Sequence, residues 1–152
     1  MKRPNILLIT TDQQRYDTIC AMGYDFMETP NLDLLAAEGC CYPNAFSSNP
    51  VCMAARHQII TGLTARYHGF DDNYFESDPK MIPYDLPTLP QLLSDAGYDT
   101  IAIGKMHFQP CRRHNGFTKM ELMEEIPRYL EDDEYTKYLK ENGYGHLQSP
   151  HG

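Results

Sequence analysis

No stretch of these 152 residues approaches the ~20 consecutive apolar residues that cross a bilayer. The apolar run Ile6, Leu7, Leu8, Ile9 is too short for a signal-peptide core, and no small-residue cleavage site follows it. The expectation is a cytoplasmic chain with no membrane partner. Positive charge is scarce: 13 lysines and arginines face 21 aspartates and glutamates, for a net charge of −8. That balance argues against a nucleic-acid partner or an anionic membrane patch. An anion can still be bound where positive charge is concentrated locally. Cys20, Cys40, Cys41, Cys52 and Cys111 form no Cys-x-x-Cys pair and are odd in number, which disfavours a zinc ribbon and a disulfide framework. No internal repeat is present. What remains, 41% hydrophobic and 22% charged residues, is the composition of a globular protein long enough to bury one core.

Residues 5–11 form a continuous apolar run ending in Thr10 and Thr11, the pattern of a strand buried on both faces. Asp12 follows at the carboxyl end, where the loops of a parallel sheet build active sites. It reads either as a metal-ligating carboxylate or as a loop or helix cap. Thr29 as N-cap and Pro30 at the first helical position open a helix that ends at Gly39. Asp71 and Asp72 read either as paired carboxylates or as a solvated loop. Residues 85–97 form a second amphipathic helix, and residues 98–104 a second buried strand, a helix-then-strand crossover of an α/β fold. Lys105 and His107 come next. In extended backbone, residues two apart share a face, so they can converge on one ligand; the alternative is a solvated lysine and a loop histidine. Beyond Pro110, Cys111, Arg112, Arg113 and His114 form a basic cluster. Residues 121–142 are acidic and helix-prone, and the carboxylates Glu124, Glu125, Glu131, Asp132, Asp133 and Glu134 read as a solvated face.

Between these elements lies a loop that opens into a short helix, with Pro50 before it, Ala54, Ala55 and Gln58 within it, and Gly62 as its stop. Cys52 falls in or near the first turn, at the positive end of the helix dipole. Arg56 lies one turn later on the same face. A nucleophilic side chain, a guanidinium and a helix N-terminus together suit a tetrahedral oxyanion. The competing reading is a buried structural cysteine with a surface arginine.

Four motifs in this order resemble the N-terminal part of a sulfatase of the alkaline-phosphatase-like superfamily. They are Pro4-Asn5-Ile6-Leu7-Leu8-Ile9 before Asp12, Thr29-Pro30-Asn31-Leu32-Asp33, Cys52-Met53-Ala54-Ala55-Arg56 with Thr61-Gly62, and Gly104-Lys105-Met106-His107. The resemblance implies an α/β fold, a mostly parallel sheet flanked by helices, of which this is the N-terminal part. Residues 1–118 would belong to the catalytic domain, and residues 119–152 would be an acidic helical segment and tail of the same domain.

It further implies that Cys52 is converted to formylglycine by a formylglycine-generating or anaerobic sulfatase-maturating enzyme. The hydrated aldehyde would then attack the sulfur of a small-molecule sulfate ester, releasing alcohol and sulfate. Asp12 and the modified Cys52 would hold a divalent cation, by analogy Ca2+. Arg56 would orient the diol, Lys105 would contact diol and sulfate, and His107 would take a proton when sulfate leaves. Many sulfatases carry two consecutive aspartates after the first strand, whereas here Thr11-Asp12 is followed by Gln13. That form resembles the branch with choline sulfatases and phosphonate monoester hydrolases, in which Gln13 and Asn73 would line the substrate site. Alternatives are a phosphonate monoester hydrolase or phosphodiesterase on the same scaffold, or a non-catalytic remnant. The family's remaining metal ligands lie downstream of residue 152, so this stretch alone is expected to be inactive.

Overall fold

Residues 3–74, 80–124, 127, 129 and 132–146 are described by the computed structural model. They fall into two compact units, Met1–Phe46 and Ser47–Gly152. In the first unit the apolar run 5–11 is not a strand, which corrects the expectation of one buried on both faces. Leu7 is 84% exposed and Ile9 73%. A strand exists by laddering its N–H and C=O groups to a neighbour, and among the described residues the only ladder joins two strands of the second unit. Short 3-10 turns at Tyr16–Thr18 and Cys20–Met22 follow. Helix α1 spans Pro30–Glu38, with proline in its first turn and Gly39 closing it, as expected. Thr29 stands at the N-cap, but its hydroxyl does not cap the helix. It accepts the Cys20 N–H at 2.9 Å and donates to Asp33 Oδ1 at 2.9 Å, tying α1 to the preceding turn.

The second unit starts with α2, Cys52–Thr61, which ends at Gly62 in the left-handed region at φ 68°. A one-turn helix, α3, spans Ala65–His68. Helix α4 covers only Leu89–Asp95 of the expected 85–97, because Thr88 is the true cap and accepts the Gln91 N–H. Strand β1, Ile101–Gly104, pairs in parallel with β2, Lys119–Leu122, with Ile101 opposite Lys119 and Gly104 opposite Leu122. Only one face of β1 is covered: Ala102 is buried, whereas Ile103 is 72% exposed. The buried strand expected over residues 98–104 is therefore shorter and half-buried. Helix α5, Glu134–Glu141, is capped by Asp133, whose carboxylate accepts the Thr136 N–H at 2.7 Å.

Packing between these elements comes from Met53, Ile60, Phe70, Ile82, Ala102, Phe108, Met120 and Leu122. Each large side chain buried here contributes about 1.5–3 kcal/mol relative to exposure. Gly116, at φ 94°, lets the loop before β2 touch α4: a Cβ there would lie 2.3 Å from the Gln91 backbone nitrogen.

The acidic segment is not the solvated face that its charge suggests. Glu124 is 5% exposed and Asp133 1%, and Glu134 Oε2 accepts the Leu122 N–H at 2.7 Å. These carboxylates serve as backbone acceptors, so burial does not leave them unpaired. Glu125, Glu131 and the tail 147–152 lie outside the described residues. Among the described residues no helix is long and apolar enough to cross a membrane.

Candidate active site

Cys52 is the first residue of α2, half-buried, and its thiol is free of any disulfide. The α2 N-terminus is secured from two sides. Val51 N–H donates to Asn49 Oδ1 at 3.2 Å, and Met53 N–H donates to Asn73 Oδ1 at 3.1 Å. Val51, which occupies the cap position, has no side-chain acceptor, so Asn73 takes over the task from twenty residues away. Asn49 Nδ2 donates to the Asp71 carbonyl at 2.7 Å, which docks the Asn73 loop onto the helix entrance. Asp71 accepts from the Tyr74 hydroxyl and pairs with Lys80 at 3.4 Å, while Asp72 accepts the Asn73 N–H at 2.8 Å. The two aspartates thus organise the loop rather than forming an acid–base pair.

Lys105 meets α2 at its first turn: its Nζ lies 3.9 Å from Cys52 Sγ. Arg56, one turn along the helix, donates from Nη1 to the Lys105 carbonyl. The guanidinium therefore grips the backbone that presents the lysine. His107 is in the left-handed region, at φ 53°. The backbone after β1 turns there, so Lys105 and His107 are not related by the strand alternation expected for them. The turn is held by Glu124, whose carboxylate accepts the N–H groups of Met106 and His107 at 3.0 Å each. Burial raises the Glu124 pKa, while those two N–H groups and the charges of Arg56 and Lys105 pull it down.

Beneath α2 lies a layer of rings. His57 is 1% exposed and stacks on Phe70, with centroids 3.7 Å apart and planes 8° from parallel. Its Nδ1 lies 2.7 Å from the Met53 carbonyl, which can only accept, so Nδ1 carries the proton. Burial pushes its pKa down to about 4. His68 accepts the Phe70 N–H on Nδ1, and burial, with Lys80 nearby, lowers its pKa as well.

Cys52, Arg56, Lys105, the His107 backbone and Asn73 are thus gathered in the second unit. Asp12 and Gln13 belong to the first, both exposed, with Gln13 left-handed at φ 50°. Among the described residues no three histidine, cysteine, aspartate or glutamate side chains converge as a cation cage. This donor set does not make a metal site by itself. Sequence reasoning missed Glu124, Asp133 and His57. Glu124 was within reach of it: Met120 and Leu122 alternate with Lys119 and Glu121, a strand pattern, and Glu124 stands just past that strand's carboxyl end.

The Sulfatase family model matches residues 4–149, and the chain belongs to that family. It is 41% identical over 120 residues to an arylsulfatase of Clostridium perfringens, a match covering 79% of this chain and 24% of that protein. An N-acetylglucosamine-6-O-sulfatase of Bacteroides thetaiotaomicron is 32% identical over 148 residues, covering 94% of this chain and 25% of its own length. The chain therefore spans about a quarter of the length of these curated relatives. Among solved structures, the phosphonate monoester hydrolase of Agrobacterium radiobacter superposes with a TM-score of 0.76 at 26% identity, over 97% of this chain and 30% of that one. The fold is accordingly α/β of the alkaline-phosphatase-like kind, of which these residues form one part.

Proposed function

We propose that this chain carries the nucleophile half of a formylglycine-dependent sulfuric ester hydrolase, which splits a small-molecule sulfate ester into alcohol and sulfate. The observation that carries the reading is the cluster at the α2 N-terminus, with Cys52 as first residue and Lys105 Nζ at 3.9 Å from its sulfur. A free, half-buried thiol at a helix start is a suitable precursor. Formylglycine, once hydrated, supplies a hydroxyl nucleophile toward sulfur and an internal route for sulfate to leave.

The chain's own residues do the rest. The α2 N-terminus presents a positive dipole end to the anionic ester. The Lys105 ammonium, beside Cys52 Sγ, would contact the hydrated aldehyde and the sulfate oxygens and offset their negative charge. Arg56 fixes the Lys105 backbone, and His107 receives a proton on its imidazole when sulfate departs. Asp12 is the one carboxylate that this chain would contribute to a divalent cation, and no step above depends on that ion. By itself the chain is expected to turn over little, because about three quarters of the relatives' length lies outside the match.

The decisive measurement is the mass of the Cys52 peptide from a host with the maturation machinery. Conversion to formylglycine lowers it by about 18 Da. Unmodified cysteine throughout points instead to a non-catalytic remnant. A second reading, a phosphonate monoester hydrolase, is favoured by Thr11-Asp12-Gln13 and by the likeness to the Agrobacterium enzyme. Rates on an aryl sulfate and an aryl phosphonate, side by side with the full-length protein, separate the two; a strong phosphonate preference rejects the sulfatase reading.

A further inference from the structure

Two successive backbone N–H groups in a turn form a small hollow that holds an anion. The chain leaving β1 makes one. Gly104 has φ 96° and His107 φ 53°, so the backbone folds sharply instead of running on. The hollow is filled from within the protein. Glu124 Oε1 accepts from Met106 and His107 at 3.0 Å each, and Oε2 accepts from His107 at 3.0 Å. The Glu124 N–H in turn donates to Asp133 Oδ2 at 2.9 Å, and Asp133 Oδ1 accepts the Thr136 N–H at the start of α5. A chain of buried acceptors thus runs from α5 to the turn that carries Lys105. Arg56 grips the same turn by the Lys105 carbonyl.

We propose that Glu124 is a positioning residue of the reaction: seated in the hollow of Met106 and His107, it fixes the turn that sets Lys105 beside Cys52. The inference rests on the reading of Cys52 as precursor of the nucleophile. Glu124 acts through backbone geometry, not by touching substrate. A misplacement of about 1 Å in such a group costs around a hundredfold in rate.

The test compares parent, E124Q, E124A and C52A forms of the full-length matured protein, with an aryl sulfate as probe. Amide hydrogen exchange is read at Met106 and His107, with Ala102 and Met120 of the sheet as controls for folding. In both Glu124 variants, exchange at Met106 and His107 rises while the sheet amides hold. Turnover falls about 10- to 100-fold, mainly in kcat. E124Q retains more activity than E124A, since its amide carbonyl still accepts one N–H. Unchanged kcat and unchanged exchange in both variants, with C52A inactive, overturn this inference alone. Full activity in C52A overturns the nucleophile reading and with it the catalytic role of Glu124.

Discussion

Acidification is expected to destabilise the second unit through His57, by an amount that follows from its surroundings. In the fold the neutral ring is stacked on Phe70, edge-on to Phe108 at 5.5 Å, and hydrogen-bonded to the Met53 carbonyl. A second proton would place a charge among rings with little solvent. Burial is the main cause of the shift from 6.5 to about 4; the Met53 carbonyl opposes it, and His68, Arg113 and His107 reinforce it. A histidine depressed in the folded state stabilises fully above its unfolded pKa, and the contribution is lost as pH falls from 6.5 through about 4. Linkage then removes about 2 kcal/mol by pH 5 and about 3 kcal/mol by pH 4.

The assay is urea unfolding of the parent and His57→Phe at pH 7, 5 and 4. Phenylalanine keeps a ring against Phe70 but cannot titrate, and it gives up the bond to Met53, about 1 kcal/mol. Carboxylates titrate alike in both proteins and cancel in the difference. The parent should be the more stable at pH 7 and the variant at pH 4, so the two stability curves cross. Curves that stay parallel from pH 7 to pH 4 would refute the claim that His57 is held neutral by burial.

Two further outcomes concern the frame of the site. Asn73→Ala removes the acceptor of the Met53 N–H and should cost about 1 kcal/mol in urea unfolding, whereas Asn73→Asp, which keeps an acceptor at the positive helix end, should cost little; equal loss in both would mean that Asn73 is not the cap. Gly116→Ala puts a Cβ against the Gln91 backbone at a left-handed φ and should cost about 2 kcal/mol or more, read as a lowered urea midpoint; an unchanged midpoint would show that α4 and this loop are not in contact.

The sequence pointed to the side chains gathered at the start of α2 more clearly than to what holds them. Cys52, Arg56 and Lys105 were legible because a thiol, a guanidinium and an amine at a helix start and a strand end are chemically distinctive. The ends of α1 and α2 were legible too, from Pro30, Gly39 and Gly62. Glu124 and Asp133 were not, since their partners are backbone N–H groups, which carry no side-chain identity; six carboxylates within eleven residues look like a solvated run until the fold shows what each accepts. The run 5–11 failed for the opposite reason. Its apolar pattern states a need for burial, and the described residues supply no ladder to satisfy it.

On the proposed reading, the carboxylates also resolve how a chain of net charge −8 presents a site for an anionic ester. A carboxylate free beside Cys52 would repel a sulfate ester. Instead Glu124 is committed to the N–H groups of Met106 and His107, Asp133 to those of Glu124 and Thr136, and Glu134 to Leu122 and to Arg112 at 2.6 Å. Each is spent as an acceptor of backbone N–H groups, while Lys105 Nζ lies 3.9 Å from the Cys52 sulfur. The charges of Arg56 and Lys105 in turn pull the Glu124 pKa down against the effect of its burial, which raises it. Local arrangement, not net charge, decides which sign an anion would meet at the start of α2.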